Sequence, residues 1–141
     1  MIVLISCVSQ KQPLEKGQTV AAKDLYTSPL FKKSWAYAIK LNPDKIYILS
    51  AKHGLLKPET QVTTYNETLN DKKAAERKAW SQKVLEALKA EGVDLKKEKF
   101  IILAGKSYYQ YLLGDGKIEK YELPMEGLGI GKRLHYLNER I

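Results

Sequence analysis

Residues 45–51, Lys45-Ile46-Tyr47-Ile48-Leu49-Ser50-Ala51, form an almost unbroken apolar run that stops abruptly at Lys52-His53-Gly54. Two other runs share its character: residues 1–6, containing IVLIS, and residues 99–105, containing FIILAG. A weaker one covers 117–123. A strand with one wet face alternates apolar and polar residues, whereas a strand covered on both faces does not, as in parallel sheets. Helical patterns fill the intervals. Ser28-Pro29 pairs a capping hydroxyl with proline at the first helical position, and Leu30, Ser34, Ala38 and Leu41 then recur at helical spacing, flanked by Phe31 and Trp35. A second helix is predicted over about 71–90, with Trp80, Val84 and Leu88 on one stripe and Gly92 closing it. A third starts near Ser107 and stops at Gly114, and the last places Ile130, Leu134, Leu137 and Ile141 along one face. The alternation predicts a single α/β domain over 1–141, a three-layer α/β/α arrangement around a four-stranded, mostly parallel sheet.

Length and composition agree with that reading. The 141 residues include 44% hydrophobic and 28% charged side chains, an ordinary globular balance. No apolar run approaches the roughly 20 residues of a membrane span, and the N-terminus reads as a first strand and not a signal peptide. One cysteine, Cys7, and two histidines, His53 and His135, make a poor zinc ligand set. A lone cysteine suits a reducing, cytoplasmic setting. The sequence therefore predicts no metal, cofactor or membrane partner and leaves the oligomeric state open. The net charge of +8 attracts polyanions, but it is spread along the chain, so a lysine-rich solvated surface competes with nucleic-acid binding.

Two connections are long: about twenty residues between the first strand and Ser28, and nearly as many between Ala51 and Asp71. Connections beyond about 12–15 residues are usually functional or disordered. Both follow the C-terminal end of a strand, the edge at which open α/β sheets bind ligands.

Four motifs lie at such ends. Ser6-Cys7-Val8-Ser9-Gln10-Lys11 offers small hydroxyls and amides that cradle a phosphate or a base edge, with Lys11 supplying charge; Cys7 lacks a base nearby in sequence and reads more simply as a small buried hydrophobe. In the stretch 49–58, Ser50 and Lys52 sit where the strand opens, Gly54 permits a tight turn, and His53 is either an acid–base group or a loop histidine satisfied by backbone. In Ala104-Gly105-Lys106-Ser107-Tyr108-Tyr109-Gln110, a helix start favours anions at Lys106 and Ser107. An outward tyrosine, Tyr109, is placed to stack on a base or simply to pack. Finally, Glu126-Gly127-Leu128-Gly129-Ile130-Gly131-Lys132-Arg133 exposes amides at Gly127 and Gly129 and sets Lys132 and Arg133 against a helix dipole that an anion would relieve. This spacing is neither a Walker loop nor a dinucleotide fingerprint. Glu126 is the first carboxylate choice for orienting water, and Glu67 the second.

In this order the motifs resemble an uncharacterised bacterial and phage domain family, marked by S-C-x-x-x-K, D-L-Y-x-S-P-L-F (24–31), L-S-A-K-x-G-L-L (49–56), G-x-x-Y-Y (105–109) and E-G-L-G-I-G (126–131). More distantly, Ser6, the 50–58 stretch and Tyr65 resemble the bacterial peroxide-stress DNA-binding family, which carries tyrosine at the position of His53. More weakly still, the strand-end layout resembles the uracil-DNA-glycosylase-like fold and an accessory domain of archaeal tRNA-guanine transglycosylases, although the glycosylase water-activating motif is not recognisable. The resemblance implies nucleobase or nucleic-acid business, DNA ahead of RNA. It implies strands one and three at the centre of the sheet, with a crevice between the loops after Ser6 and Gly105.

The leading expectation is a DNA-directed protein of the glycosidic-bond hydrolase type, which extrudes a base into a pocket. Ser6, Cys7, Ser50, His53, Gly105, Tyr109 and Tyr65 would contact substrate. Lys11, Lys106, Ser107, Gly127, Gly129, Lys132 and Arg133 would hold phosphates, and Glu126 and Lys52 would carry the chemistry. The alternatives are a non-catalytic DNA-binding stress-response module and an enzyme of free nucleotides or nucleosides.

Overall fold

The computed structural model describes residues 1–6 and 11–141; Cys7 lies outside the described residues. The chain opens with β1 (Ile2–Ser6), followed by β2 (Val20–Ala21), α1 (Ala22–Leu25) and α2 (Pro29–Lys40). Next come β3 (Lys45–Ser50), β4 (Gly54–Leu56) and β5 (Gln61–Val62). A 3-10 turn (Leu69–Asp71) leads into α3 (Ala74–Ala90), and the rest is β6 (Lys99–Leu103), α4 (Lys106–Tyr109), β7 (Lys120–Glu122) and α5 (Ile130–Asn138).

The central sheet is mixed and has five strands in the order β4-β3-β1-β6-β7. The four strands read from sequence are mutually parallel, with Ile5 opposite Ile48 on one side and Leu103 on the other. The fifth, β4, is antiparallel to β3 and was expected to be loop. After β3 the chain turns through Ala51-Lys52-His53 and comes straight back, with Ser50 opposite Gly54. Gly54 takes a φ of +76°, the left-handed conformation that glycine adopts without a side-chain clash.

β1 explains why both faces of the sheet are covered. Successive side chains of a strand point to opposite faces. Ile2 and Leu4 join a core with Leu49, Phe100 and Ile102 beneath Trp80, Val84 and Leu88 of α3. Val3 and Ile5 join a second core with Ile48 and Leu103 beneath Phe31 and Ala38 of α2 and Leu137 of α5. Helices thus lie on both faces. Among the described residues, no helix is long and apolar enough to cross a membrane.

Helix starts follow local chemistry, with informative departures. Ser28 caps α2 as expected, accepting a hydrogen bond from the Phe31 amide at 3.1 Å, with Pro29 at the first position. α3 begins three residues later than its apolar stripe suggests, because Thr68 accepts from the Asn70 amide and closes the separate 3-10 turn, leaving Lys72 extended. α4 is one turn long and does not reach Gly114. Of the stripe expected on the last helix, Leu137 is buried and Leu134 half-buried, whereas Ile130 at the start of α5 and Ile141 beyond its end are exposed; Tyr136 meets the Tyr37 ring edge-on at 6.1 Å. The middle of the expected stripe therefore packs, and its two ends do not.

The two long connections are not structureless. β2 from the first pairs antiparallel with β5 from the second, forming a short ribbon that is extended by Ala22 N–H to Thr60 O at 2.8 Å and Lys23 N–H to Pro58 O at 3.0 Å.

Truncating Leu4, which is fully buried at the centre of the sheet, to alanine is expected to cost roughly 2–5 kcal/mol. Ser28→Ala, which removes the cap of α2, is expected to cost about 1 kcal/mol. Urea unfolding followed by circular dichroism checks both, with the Leu4→Ala loss clearly the larger.

Candidate functional site

The sheet has one topological switch. From β1 the chain passes through α2 to β3 on one side, and from β3 it passes through α3 to β6 on the other. The segments leaving β1 and β6 therefore diverge, and open α/β sheets bind ligands in the crevice outside such strand ends. A hollow of about 420 Å³ lies there, lined by Ser6 from the end of β1 and by Leu103, Ala104 and Gly105 from the end of β6. This is the position that the resemblance implies.

The walls are built from other segments of the chain. α2 contributes Leu30, Phe31 and the buried Ser34, and Tyr108 and Met125 complete an apolar and aromatic lining. Lys11 and Arg133 bring positive charge, and Glu67, Thr68, Asn70 and Asp71 form an acidic and polar ridge. Each charged wall is held in place. Arg133 donates through Nε to the Leu128 carbonyl at 2.8 Å. The Lys11 ammonium sits 4.6 Å from the centre of the Tyr65 ring, within cation–π range. Arg77 clamps the ridge by donating to the carbonyls of Leu69 at 2.9 Å and Asn70 at 3.2 Å. Ser107 ties it to α4, its hydroxyl donating to Asn70 Oδ1 at 2.8 Å. The carboxylates of Glu67 and Asp71 take part in no ion pair or hydrogen bond among the described residues, so both can accept a donor from a ligand.

Of the residues singled out in the sequence, Ser6, Lys11, Gly105 and Arg133 line the hollow. Ser107 contributes through Asn70. Tyr109 lies just outside: burial is the main cause that pushes its hydroxyl pKa up, the nearby Glu126 adds to the rise, and Arg133 opposes it. Glu126, Gly127, Gly129 and Lys132 are exposed and are not part of the hollow's lining. Gly127 has a φ of +77° and serves a turn closed by Leu128 N–H to Met125 O at 3.2 Å, which directs Glu126 outward. Lys106 is exposed, and its one-turn helix provides too few aligned peptides for an anion site of the kind expected there. Lys52 is exposed on the β3–β4 turn, away from the lining. The acids in the lining are Glu67, the second choice from sequence, and Asp71, where the sequence pattern predicts the start of a helix.

Ser50, His53 and Tyr65 form a second assembly behind Lys11. Ser50 is fully buried; its hydroxyl donates to Tyr65 Oη at 2.9 Å and accepts from the His53 amide at 3.1 Å. Tyr65 Oη lies 2.6 Å from Tyr26 Oη, and the Ser50 carbonyl accepts from the Trp80 indole at 2.8 Å. The role of Ser50 and Tyr65 is to fix Lys11 and the ribbon, and they do not line the hollow. His53 packs its ring edge against Tyr65 at 5.5 Å, and its Nε2 is buried without a partner among the described residues. Burial, then Lys52 and Lys83, hold its pKa below the ordinary value of 6.5, with Glu67 pulling weakly the other way. With its pKa held below 6.5 the imidazole is mostly neutral at pH 7, and among the described residues no base or acid partner orients it.

The chain belongs to a family of unknown function, DUF6884, whose model matches residues 2–139. No curated protein and no solved structure matches it.

A depressed histidine pKa has a definite consequence for stability. Below pH 6.5 the unfolded chain protonates His53 more readily than the folded one, so stability falls as pH drops from 6.5 toward the folded pKa. Thermal unfolding between pH 7 and 5 should show this loss, and His53→Gln should flatten it. An unchanged slope in the variant refutes the assignment.

Proposed function

We propose that the hollow between β1 and β6 receives a nucleobase, with its sugar-phosphate held by Lys11 and Arg133, and that the protein hydrolyses an N-glycosidic bond there. The observation that carries this reading is the composition of one small crevice: an apolar lining that includes Phe31 and Tyr108, the two positioned cations Lys11 and Arg133, and two carboxylates, Glu67 and Asp71, that form no ion pair among the described residues. Flat aromatic surfaces take the faces of a base, cations take phosphate oxygens, and a carboxylate accepts from base N–H groups or orients a water. A pocket of a few hundred Å³ also suits a ligand of nucleotide size.

In such a reaction the oxygen of water bonds to the anomeric carbon of the sugar. The carbon–nitrogen bond breaks, and the base departs with its electron pair and takes up a proton. The water-orienting role passes from Glu126 to Asp71 or Glu67, since these face the hollow. The likeness of Ser6, residues 50–58 and Tyr65 to the peroxide-stress DNA-binding family supports a nucleic-acid setting. The strand-end likeness to the uracil-DNA-glycosylase-like fold supports a base in the crevice.

A non-catalytic DNA-binding module is the second reading, favoured by the net charge of +8. The two readings part at the carboxylates. Incubation with oligonucleotides carrying damaged or modified bases should release free base, and Asp71→Asn or Glu67→Gln should lower the rate by about 10²-fold or more. Binding with no base release, unaltered by either substitution, selects the second reading. If neither binding nor thermal stabilisation by any nucleoside monophosphate is found, both readings fail.

A further inference from the structure

On the far side of Phe31 lies a second, more open trough of about 830 Å³. It runs between the β2–β5 ribbon and α2, and it is built largely from the two long connections. The boundary between hollow and trough is a single residue thick. Lys11 lines the hollow and its neighbour Gln12 the trough; Leu30 lines the hollow and Lys32 the trough; Phe31 lines both.

The trough has its own ring platform. Trp35 is half-buried and stacks on Phe31, with ring centres 6.5 Å apart and planes within 20°. Lys32 is exposed and makes no side-chain ion pair among the described residues, whereas Lys23 is engaged by Glu59 at 3.0 Å. The side chains of Gln12, Thr27 and Gln61 supply neutral hydrogen-bonding groups along the walls. Asp24 is the one acid of the lining.

We propose that this trough is the binding track for the nucleotides next to the one whose base enters the hollow, so that the ligand is a single-stranded or locally opened polynucleotide and not a free mononucleotide. The inference rests on the nucleobase reading of the hollow and specifies its substrate. Two compartments separated by one shared aromatic wall match neighbouring units of one chain. A partly exposed indole accepts any base by stacking, and Lys32 adds a sequence-independent phosphate contact. The polar side chains suit a backbone better than they suit an apolar peptide.

The test compares nucleoside 5′-monophosphates with hexanucleotides of DNA and of RNA, following binding by anisotropy and tryptophan emission. Hexamers of at least one sugar type should bind ten or more times tighter than the monophosphates and should quench emission. The quench should vanish in Trp35→Phe, which separates it from any signal of Trp80. Trp35→Ala and Lys32→Glu should each remove most of the gain from length, about tenfold for Trp35→Ala, while leaving monophosphate binding unchanged. Equal affinity for monomer and hexamer overturns the trough and spares the hollow. So does a length gain that both variants retain, because the strand then runs elsewhere. Failure of monomers and hexamers alike sinks the hollow and the trough together.

Discussion

Everything in this molecule is arranged around β1 and its hydrogen bonding to parallel partners on both sides. A strand in that position has no free edge and no solvent face, which is why Ile2, Val3, Leu4 and Ile5 are uniformly apolar and buried. Its alternate side chains seed two cores, one under α3 and the other under α2 and α5. Because β3 and β6 flank it, the chain must leave the C-terminal ends of β1 and β6 in diverging directions. The hollow is a geometric consequence of this strand order, and the residues that fill its rim are then free to carry chemistry.

The rim is stiffened by bonds that add little to the core. Arg77 and Ser107 fasten the Leu69–Asp71 turn to α3 and α4, Leu128 anchors Arg133, and Tyr65 seats Lys11. Groups held this way bind a ligand without first losing conformational freedom, which is where preorganised sites gain affinity. The opposing charges are not spent on each other, since no ion pair links Lys11 or Arg133 to Glu67 or Asp71 among the described residues. Such a crevice is electrostatically unfulfilled until something amphoteric enters it.

The strands and their parallel pairing were legible in the sequence because continuous apolar runs admit few alternatives, while the place of the crevice followed only from the family resemblance. The Ser28-Pro29 start was equally plain, since capping chemistry is local. Edge strand β4 was not: three residues after a tight turn have too little pattern to separate from a loop. On the last helix the expected stripe packs at Leu137, whereas Ile130 and Ile141 satisfy helical spacing yet stay exposed at its ends, a matter of tertiary placement. The same limit applies at the site. Ser6 and Gly105 could be placed because strand ends converge by topology, whereas Asp71 reaches the hollow through a 3-10 turn whose direction no local signal announces. Glu126 drew attention through its glycine-rich setting, but the turn at Gly127 serves the chain reversal and faces the carboxylate outward.

The long connections show how a small domain adds surface without adding a second core. A ribbon of two residues per strand does not hold by its own ladder. Here it is tied to the sheet by the run of hydroxyls from Ser50 through Tyr65 to Tyr26, and Ser50 is itself gripped by the Trp80 indole. Tyr26 lines the trough on one side and pairs across a backbone bridge with Lys11 of the hollow on the other. One buried serine at the end of β3 therefore sets the position of both compartments at once. A change at Ser50 should disturb them together, whereas changes at Trp35 or Asp71 act on one compartment each.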